Sequence, residues 1–268
     1  MVTFKSLRNA GYSGPVVIVI DDEDEQRYIY IKNFGADNVE IFSKDEIAKT
    51  FDLGDNFGKK GAIIYARNAC FDIARKRGYR YFIELDDDYT FFGYTFDSEF
   101  NFKESRTKKL DDILSAMLDY FRNTPTLTTI AMAQGGDFIG GGNGTLGRNI
   151  PKRKAMNSFI CDTERQFKFV GTINEDVNTY TSEGARGKIF LTIPMVRLEQ
   201  KRTQKNKGGM TDLYLDSGTY VKSFYTVLYM PSAVKISVLG GDAEKRIHHF
   251  IKWDSCVPKI LSEEYRKS

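Results

Sequence analysis

The chain has 268 residues, 41% of them hydrophobic and 13% aromatic, which is enough to bury a substantial core in one domain or two closely packed ones. Its 39 basic and 36 acidic residues leave a net charge of only +3, so the overall charge says little about partners. The cysteines Cys70, Cys161 and Cys256 lie far apart and form no CxxC pair, which argues against a zinc or redox motif. We expect one compact domain over residues 1–268.

The sequence shows no sign of a membrane or targeting segment. Its longest aliphatic run, VVIVI at 16–20, is too short to cross a bilayer, and the first ten residues lack the apolar core of a signal peptide. We therefore expect a soluble, cytoplasmic protein with no membrane partner.

The first third of the chain alternates strand and helix patterns. VVIVI predicts a buried strand, a short strand follows at 39–42, and the segment 61–78 repeats small and apolar residues at helical spacing until Gly78. The strand pattern YRYFIEL comes directly after it, at 79–85. This order indicates right-handed βαβ units and therefore an α/β fold with a mostly parallel, mixed central sheet flanked by helices.

Helix and strand patterns continue after this first third. Thr107 occupies the position of a helix N-cap, and the apolar stripe after it predicts a core-facing helix that ends before Pro125. The stripe consists of Leu110, Ile113, Leu114, Met117, Leu118 and Phe121. Further strands are predicted at 126–134, 157–162, 166–172, 188–196 and 233–239.

An aromatic helix is predicted before the last of these strands. The residues that follow helical spacing there, and are expected in the core, are Tyr220, Phe224, Val227 and Leu228. Tyr214 and Tyr225 then remain freer to contact a base of a nucleic acid.

The sequence IELDDDY ends an apolar strand pattern with a run of acidic side chains. Along an extended strand end Asp86 and Asp88 point the same way, because side chains alternate with period two. Two such carboxylates form a hard-oxygen site for Mg²⁺ or Mn²⁺, metals that commonly share their coordination with substrate phosphates. A metal-free acidic turn is the alternative. If the sheet is parallel, this run and the acidic run at 21–25 lie at the same rim.

The residues around this run carry a resemblance to a known fold. An ARN helix, Ala66 to Asn68, followed by AxxxGYxYFIELDDDY resembles the nucleotide-sugar half of GT-A-fold glycosyltransferases over residues 15–90. The resemblance implies a UDP-sugar donor whose diphosphate is held through a metal on the aspartates. The donor-binding residues that it implies are Asp21 and Asp22 near the uracil or ribose, Arg67 and Asn68 orienting the sugar nucleotide, and Asp86 and Asp87.

A second acidic pair stands in TINEDVNTY, where Glu175 and Asp176 follow a strand pattern and precede a helix start. Asn174 to Asp176 would also suit a plain helix cap. In the functional interpretation, one carboxylate is the general base that takes a proton from an acceptor hydroxyl. GT-A enzymes often carry an acidic pair at this position, and the sequence does not choose between the two residues.

The chain has only two histidines, His248 and His249, in the sequence RIHHFIKW. A histidine near the C-terminus often completes the metal shell of GT-A enzymes, so each is a candidate ligand by resemblance. On a strand the two side chains face opposite ways, so at most one would reach the metal. A packed or exposed histidine is the alternative.

Basic residues concentrate in two predicted loops, 148–154 and 197–207. Such runs are often only solvated, but two of them beside one active site would form an electrostatic track for a polyanion. The candidate nucleic-acid contacts are Lys152, Arg153, Lys154, Arg197, Lys201, Arg202, Lys205 and Tyr214.

A narrower resemblance joins IELDDDY, TINEDVNTY and GGMTDLYLDSGTYVKSFYTVLYMPS. Together they are similar to the TET-associated glycosyltransferases of phages, which add sugars to 5-hydroxymethylcytosine in DNA. The resemblance implies a metal-dependent hexosyltransferase acting on double-stranded DNA in the host cytoplasm, with a nucleotide-sugar half at about 1–100 and an acceptor half at about 101–268. The alternatives are a protein or small-molecule acceptor, a nucleotidyltransferase of similar fold, and a non-catalytic DNA-binding module.

Overall fold

The computed structural model describes residues 1–55, 61–134, 137, 155, 158–200, 221–239 and 246–258. The helices in these ranges are α1 (Val2–Asn9), α2 (Arg27–Phe34), α3 (Lys44–Ala48), α4 (Ile64–Lys76), α5 (Leu110–Arg122), α6 (Glu175–Ala185) and α7 (221–229). The strands are β1 (Ile18–Asp21), β2 (Val39–Phe42), β3 (Tyr81–Ile83), β4 (Tyr89–Phe96), β5 (Phe102–Arg106), β6 (Leu127–Gln134), β7 (Phe159–Asp162), β8 (Ile189–Gln200), β9 (Val234–Leu239) and β10 (Arg246–Ile251). Short 3₁₀ turns occur at Ala36–Asn38 and Trp253–Ser255.

The main sheet has the strand order β3-β7-β6-β8-β4-β5. In the described residues β6 and β8 run parallel, whereas the pairs β3–β7, β7–β6, β8–β4 and β4–β5 are antiparallel. β1 and β2 form a separate parallel pair, and β9 and β10 an antiparallel one. The α/β fold with a mixed sheet flanked by helices is confirmed. Its mostly parallel character was predicted wrongly, because continuous apolar runs report burial on both faces and not strand direction.

Helices cover both faces of the main sheet. Phe71 of α4 and Val177 of α6 share one core cluster with Phe159 of β7. Leu110 of α5 shares the other core cluster with Ile160, the next residue of β7. Since successive side chains of a strand point to opposite faces, this alternation places α4 and α6 on one side of the sheet and α5 on the other. The nearly continuous burial of β6 and β7 follows from this two-sided covering.

Most of the predicted elements are present. The predicted strands that are confirmed are β1, β2, β3, β6, β7, β8 and β9. The predicted helix of 61–78 is α4, and Gly78 follows it with φ of +75°, a left-handed value that favours glycine after a helix. The strand predicted at 166–172 is wrong. There the backbone of Phe169 exchanges hydrogen bonds with the side chain of Asn68 and not with a neighbouring strand.

Two finer predictions about helices also need correction. Thr107 is not the N-cap of α5; the cap residue is Lys109, whose N–H donates to Thr107 Oγ1 at 2.9 Å. In α7 the predicted core residues Phe224 and Leu228 are 41% and 60% exposed, whereas Tyr225 is buried. On the inward face of α7 the hydroxyl of Tyr225 forms hydrogen bonds with the side chains of Thr172 and Asp55. Tyr214 and Tyr220 lie outside the described residues.

The segment after β10 packs directly behind α6. The ring of Trp253 stacks on Tyr180 of α6, with centroids 5.6 Å apart and planes 24° from parallel. A Cβ added at Gly184 of α6 would lie 2.2 Å from the backbone oxygen of Cys256. A larger residue at this position would push the two segments apart. Among the described residues, no helix has the length and apolar character needed to span a membrane.

Candidate active site

The acidic turn, residues 84–88, connects β3 to β4 and is held in place by the first helix. Thr3 Oγ1 donates to the backbone oxygen of Asp86 at 2.6 Å, and Thr3 N–H donates to that of Asp87 at 3.0 Å. The N–H of Tyr89 in turn donates to Thr3 Oγ1 at 2.8 Å. Thr3 is itself buried. The backbone of the turn is therefore fixed from α1, a contact that local sequence patterns do not signal.

Arg67 of α4 joins the acidic turn to the second acidic pair. Its Nη2 lies 3.0 Å from Asp86 Oδ1, and its Nη1 lies 3.0 Å from Glu175 Oε1. The guanidinium also faces the rings of Phe159 and Phe169, at 5.6 and 5.5 Å from their centroids. Burial works against its charge, but the carboxylates outweigh burial and raise the pKa of Arg67 above its ordinary value. Arg67 is thus a fixed cation within the cluster.

The carboxyl groups around Arg67 hold their protons more tightly than exposed acids do. Burial raises the pKa of Glu84 to about 8, partly offset by Arg67, and raises the pKa of Glu175 to about 7 against the same cation. Burial likewise raises the pKa of Asp86, and burial together with the charge of Asp86 raises the pKa of Asp88 to about 6. Buried, mutually repelling acids in one place are typical of functional sites.

The acidic turn fits a divalent cation that is shared with a substrate. Oδ1 of Asp88 is buried and accepts no hydrogen bond from the described residues. An orphaned carboxylate oxygen beside Asp86 and Asp87 suits a hard cation such as Mg²⁺ or Mn²⁺. Within the described ranges, however, no three His, Cys, Asp or Glu side chains gather closely enough to hold a metal by themselves. Substrate oxygens and water would have to complete the coordination.

The histidines lie on β10 and are not grouped with the acidic turn. His248 pairs with Ser237 and His249 with Ile236 across the β9–β10 ladder. Their rings stack on each other, with centroids 4.3 Å apart, so the prediction that they face opposite ways is wrong. Neither belongs to a metal-binding group among the described residues. Their role as metal ligands stays a prediction.

Asp21 and Asp22 lie at the carboxyl end of β1 and face the start of α3. Lys44 Nζ lies 3.1 Å from Asp21 Oδ1, and the N–H of Lys44 donates to Asp22 Oδ1 at 3.2 Å. This backbone donor, together with the hydroxyl of Ser43, lowers the pKa of Asp22. Asp22 is therefore charged at neutral pH.

The charges of both acidic runs act on Tyr30 of α2. Burial raises the pKa of Tyr30 in α2, and the charges of Asp24 and Asp87 raise it further. One residue of each acidic run thus influences the hydroxyl of Tyr30. The prediction that both runs lie at one rim of a single parallel sheet is wrong, because β1 and β3 belong to different sheets.

Asn68 has a structural role in this arrangement. Its side chain is fully buried, its Nδ2 donates to the backbone oxygen of Phe169 at 3.0 Å, and its Oδ1 accepts the N–H of Phe169 at 2.9 Å. The prediction that Asn68 orients the sugar nucleotide is wrong, because both ends of its amide are occupied inside the core. Arg67, the other ARN residue predicted to contact the donor, pairs with Asp86 and Glu175, and its contact with the donor stays a prediction.

Glu175 and Asp176 form the first turn of α6, and both are buried. The residue before them, Asn174, makes no side-chain capping bond to α6. Its Nδ2 donates instead to the backbone oxygen of Lys222 in α7, at 2.7 Å. The plain capping interpretation of this segment therefore does not hold for Asn174.

Arg197 is the one predicted nucleic-acid contact in the described part of the chain. It lies in β8 and not in a loop, its side chain is only 2% exposed, and its guanidinium pairs with Glu104 and Glu199. Its proposed contact with a DNA backbone is wrong, because the charge is buried and neutralised. The other candidates lie outside the described residues: Lys152, Arg153, Lys154, Lys201, Arg202, Lys205 and Tyr214.

A known protein family matches most of the chain. A family model described as TET-Associated Glycosyltransferase matches residues 1–209 of the 268-residue chain. The chain belongs to this family. As a TET-associated glycosyltransferase it is a sugar-transferring enzyme, and the resemblance noted in its motifs is confirmed. The matched region contains the acidic turn, Arg67 and the pair Glu175 and Asp176. No curated protein and no solved structure matches the chain.

Proposed function

We propose that this glycosyltransferase moves a hexose from a UDP-sugar to the hydroxyl of 5-hydroxymethylcytosine in double-stranded DNA, with Mn²⁺ or Mg²⁺. The observation that carries the proposal is the bridge of Arg67 between Asp86 and Glu175. It brings the carboxylates suited to a donor's diphosphate next to a carboxylate suited to activate an acceptor. A site built in this way serves group transfer between two bound substrates.

Glu175 is the general base of the proposal. A hydroxymethyl group is a weak nucleophile at neutral pH, and a base works best when its pKa lies near the working pH. Burial and Asp176, acting against Arg67, bring the pKa of Glu175 to about 7. The hydroxyl proton passes to Glu175 as the oxygen bonds to the anomeric carbon. The bond from that carbon to the diphosphate breaks, and UDP leaves with the electron pair.

Asp86 and Asp88 would hold the divalent cation, whose chemistry is to neutralise charge on the departing diphosphate. The orphaned Oδ1 of Asp88 supports this assignment. Asp21 and Asp22, at the end of β1, are proposed to accept hydrogen bonds from the uridine. Lys44, paired with Asp21, keeps this acidic edge from repelling a nucleotide as strongly as it otherwise would.

The acceptor is proposed from the family and from the chemistry of the modified base. The 5-substituent of cytosine projects into the major groove, where an enzyme can reach it, and flipping of the base would bring it closer to a buried site. Family membership favours transfer of a sugar over transfer of a nucleotide. A protein acceptor is the competing outcome.

A direct assay tests the proposal. The enzyme is incubated with hydroxymethylated or unmodified DNA, Mn²⁺ and a panel of nucleotide sugars, and the digested nucleosides are weighed. We expect a hexose-sized gain confined to hydroxymethylcytosine. The same reaction with Asp88→Asn should give none, whereas Asp112→Asn, which alters an exposed carboxylate of α5, should behave as the wild type. A protein that gains the sugar while the DNA does not would overturn the DNA acceptor.

A further inference from the structure

The segment that leads into α6 is tied to two other parts of the chain. The N–H groups of Gly171 and Thr172 donate to the backbone oxygens of Asp52 and Leu53, at 2.8 and 3.0 Å. Thr172 Oγ1 also donates to Asp55 Oδ2 at 2.5 Å. These bonds hold the approach to α6 against the loop after α3.

Helix α7 is anchored to the same loop. The hydroxyl of Tyr225 donates to Asp55 Oδ2, and the hydroxyl of Tyr229 donates to the backbone oxygen of Asp52 at 3.1 Å. Space at this junction is tight, since a Cβ added at Gly171 would lie 2.7 Å from the ring of Tyr229. Loop 52–55, the segment 171–174 and α7 therefore form one hydrogen-bonded junction.

Asn174 is the last residue of this junction before the acidic pair. Its backbone is left-handed, with φ of 56° and ψ of 36°, a conformation that asparagine tolerates better than most residues. Its side chain is 5% exposed and reaches Lys222 O at 2.7 Å and Thr226 Oγ1 at 3.3 Å. Its own backbone oxygen accepts the N–H of Asn178 at 2.8 Å, which starts α6. One residue thus joins the start of α6 to the middle of α7.

The side chain of Asn174 has a role beyond permitting the left-handed turn. The left-handed backbone alone is available to glycine at no cost, and a capping role would require a bond to the first turn of α6. The side-chain amide of Asn174 instead donates hydrogen bonds to residues of α7. The first turn of α6, which carries Glu175 and Asp176, is consequently linked through Asn174 to α7.

We propose that Asn174 is a positioning residue, which holds Glu175 in the geometry for proton transfer by tying the first turn of α6 to α7. The inference rests on the proposed function of Glu175 as base. A displacement of about 1 Å at a reacting group lowers the rate by about 100-fold. Loss of a side-chain link this close to the base should therefore lower the turnover rate.

Two substitutions separate the side chain from the backbone conformation. Asn174→Gly keeps the left-handed turn and removes the link to α7. Thr226→Val removes the weaker partner and keeps its shape. Asn123→Gly is the matched control, because Asn123 Nδ2 also donates to a carbonyl, Asp119 O at 2.8 Å, but on the exposed end of α5. Each variant is measured for kcat, donor KM, UDP affinity by calorimetry and thermal unfolding.

We expect Asn174→Gly to lower kcat by at least about 10-fold, with donor KM and UDP affinity within about 2-fold of wild type. Thr226→Val should show a smaller fall in kcat, and Asn123→Gly none. A wild-type kcat in Asn174→Gly would overturn the proposal. So would a loss of UDP affinity and folding in step with kcat, because that pattern describes a merely structural residue.

A second measurement does not depend on turnover. The carboxyl carbon signal of Glu175 is titrated by NMR and assigned by its disappearance in Glu175→Gln. In Asn174→Gly we expect this carboxyl to titrate at lower pH, because the released turn exposes it to water while Arg67 still faces it and Asp86 and Asp176 remain nearby. An unchanged titration overturns the positioning role. A wild type that titrates as expected but transfers no sugar instead contradicts the proposed function.

Discussion

Arg67 lies 3.0 Å from Asp86 through one terminal nitrogen and 3.0 Å from Glu175 through the other. A planar, permanently charged guanidinium can serve two carboxylates at once, whereas the single nitrogen of a lysine cannot hold the same two positions. The two acidic groups that the sequence places far apart are therefore joined by a residue from a third element, α4.

Removing the positive charge of Arg67 should destabilise the fold, because Asp86 and Glu175 lose their partner. Arg67→Met leaves buried carboxylates without their partner, and we expect a loss of about 3–5 kcal/mol in the free energy of unfolding, measured by denaturant titration at pH 8. Arg186→Met is the control, because Arg186 pairs with Glu183 at the surface and should cost less than about 1 kcal/mol. A difference of less than 1 kcal/mol between the two variants would show that Arg67 does not hold the cluster together.

The raised pKa of Glu175, about 7, predicts how activity depends on pH. A general base must have lost its proton, so kcat/KM should rise with pH through about 7 and then level off. Glu175→Gln should lose this rise together with most of the activity. A profile that is flat between pH 5 and 8 in the wild type would remove Glu175 from the role.

The same group predicts how stability depends on pH. Below an ordinary glutamate pKa of about 4.3 both states are protonated; above it, the unfolded chain releases the proton first. The contribution of Glu175 to the free energy of unfolding should therefore fall as pH rises from about 4.3 to about 7, and then stay constant. Urea titrations of the wild type and of Glu175→Gln at pH 4.5, 6 and 8 measure the fall as the difference in stability between the two proteins. A stability difference, wild type minus Glu175→Gln, that is unchanged or increases from pH 4.5 to pH 8 would contradict the assignment.

Thr3 should matter for the acidic turn although it carries no charge. Thr3→Val removes a donor to Asp86 O and an acceptor for Tyr89 N–H, and we expect a loss of about 1–3 kcal/mol with weaker Mn²⁺ binding in the presence of UDP. Thr3→Ser keeps the hydroxyl and should restore Mn²⁺ binding. Thr124→Val removes an exposed hydroxyl bond to Tyr120 O and serves as control. Equal Mn²⁺ binding by all these variants would rule out a role for Thr3.

Removal of the metal provides a further check. Chelation should abolish sugar transfer, and added Mn²⁺ or Mg²⁺ should restore it. Asp88→Asn should weaken the binding of Mn²⁺ to the enzyme with UDP, measured by electron paramagnetic resonance. Thermal unfolding should change little or shift upward, because a partly buried carboxylate with a raised pKa is removed. Full activity in chelator would disprove metal dependence.

The sequence predicted those features that local patterns determine. The acidic turn and the pair Glu175 and Asp176 were found because each follows an apolar strand pattern, and helix α4 because its small and apolar residues recur at helical spacing. Strand direction was beyond reach: β3 pairs with β7, which comes much later in the chain. A buried apolar run looks the same in either orientation.

The misassigned residues share a physical cause. Asn68 and Arg197 are polar side chains whose partners, Phe169 and Glu104, are distant in sequence. The family resemblance suggested a ligand contact for Asn68, and the run of basic residues suggested a nucleic-acid contact from a loop for Arg197. Both predictions assumed an exposed side chain, because polar residues are usually exposed. Thr3 was missed because no local sequence pattern distinguishes it from any other threonine in a short helix. Its hydrogen bonds to the acidic turn join residues that are distant in sequence.

Trp253 is the only tryptophan in the sequence, and its indole stacks on Tyr180 of α6. An intrinsic fluorophore thus contacts the helix that begins with the acidic pair. Intrinsic fluorescence excited at the indole should report any shift of this helix when nucleotide or acceptor is added, with no label attached to the protein.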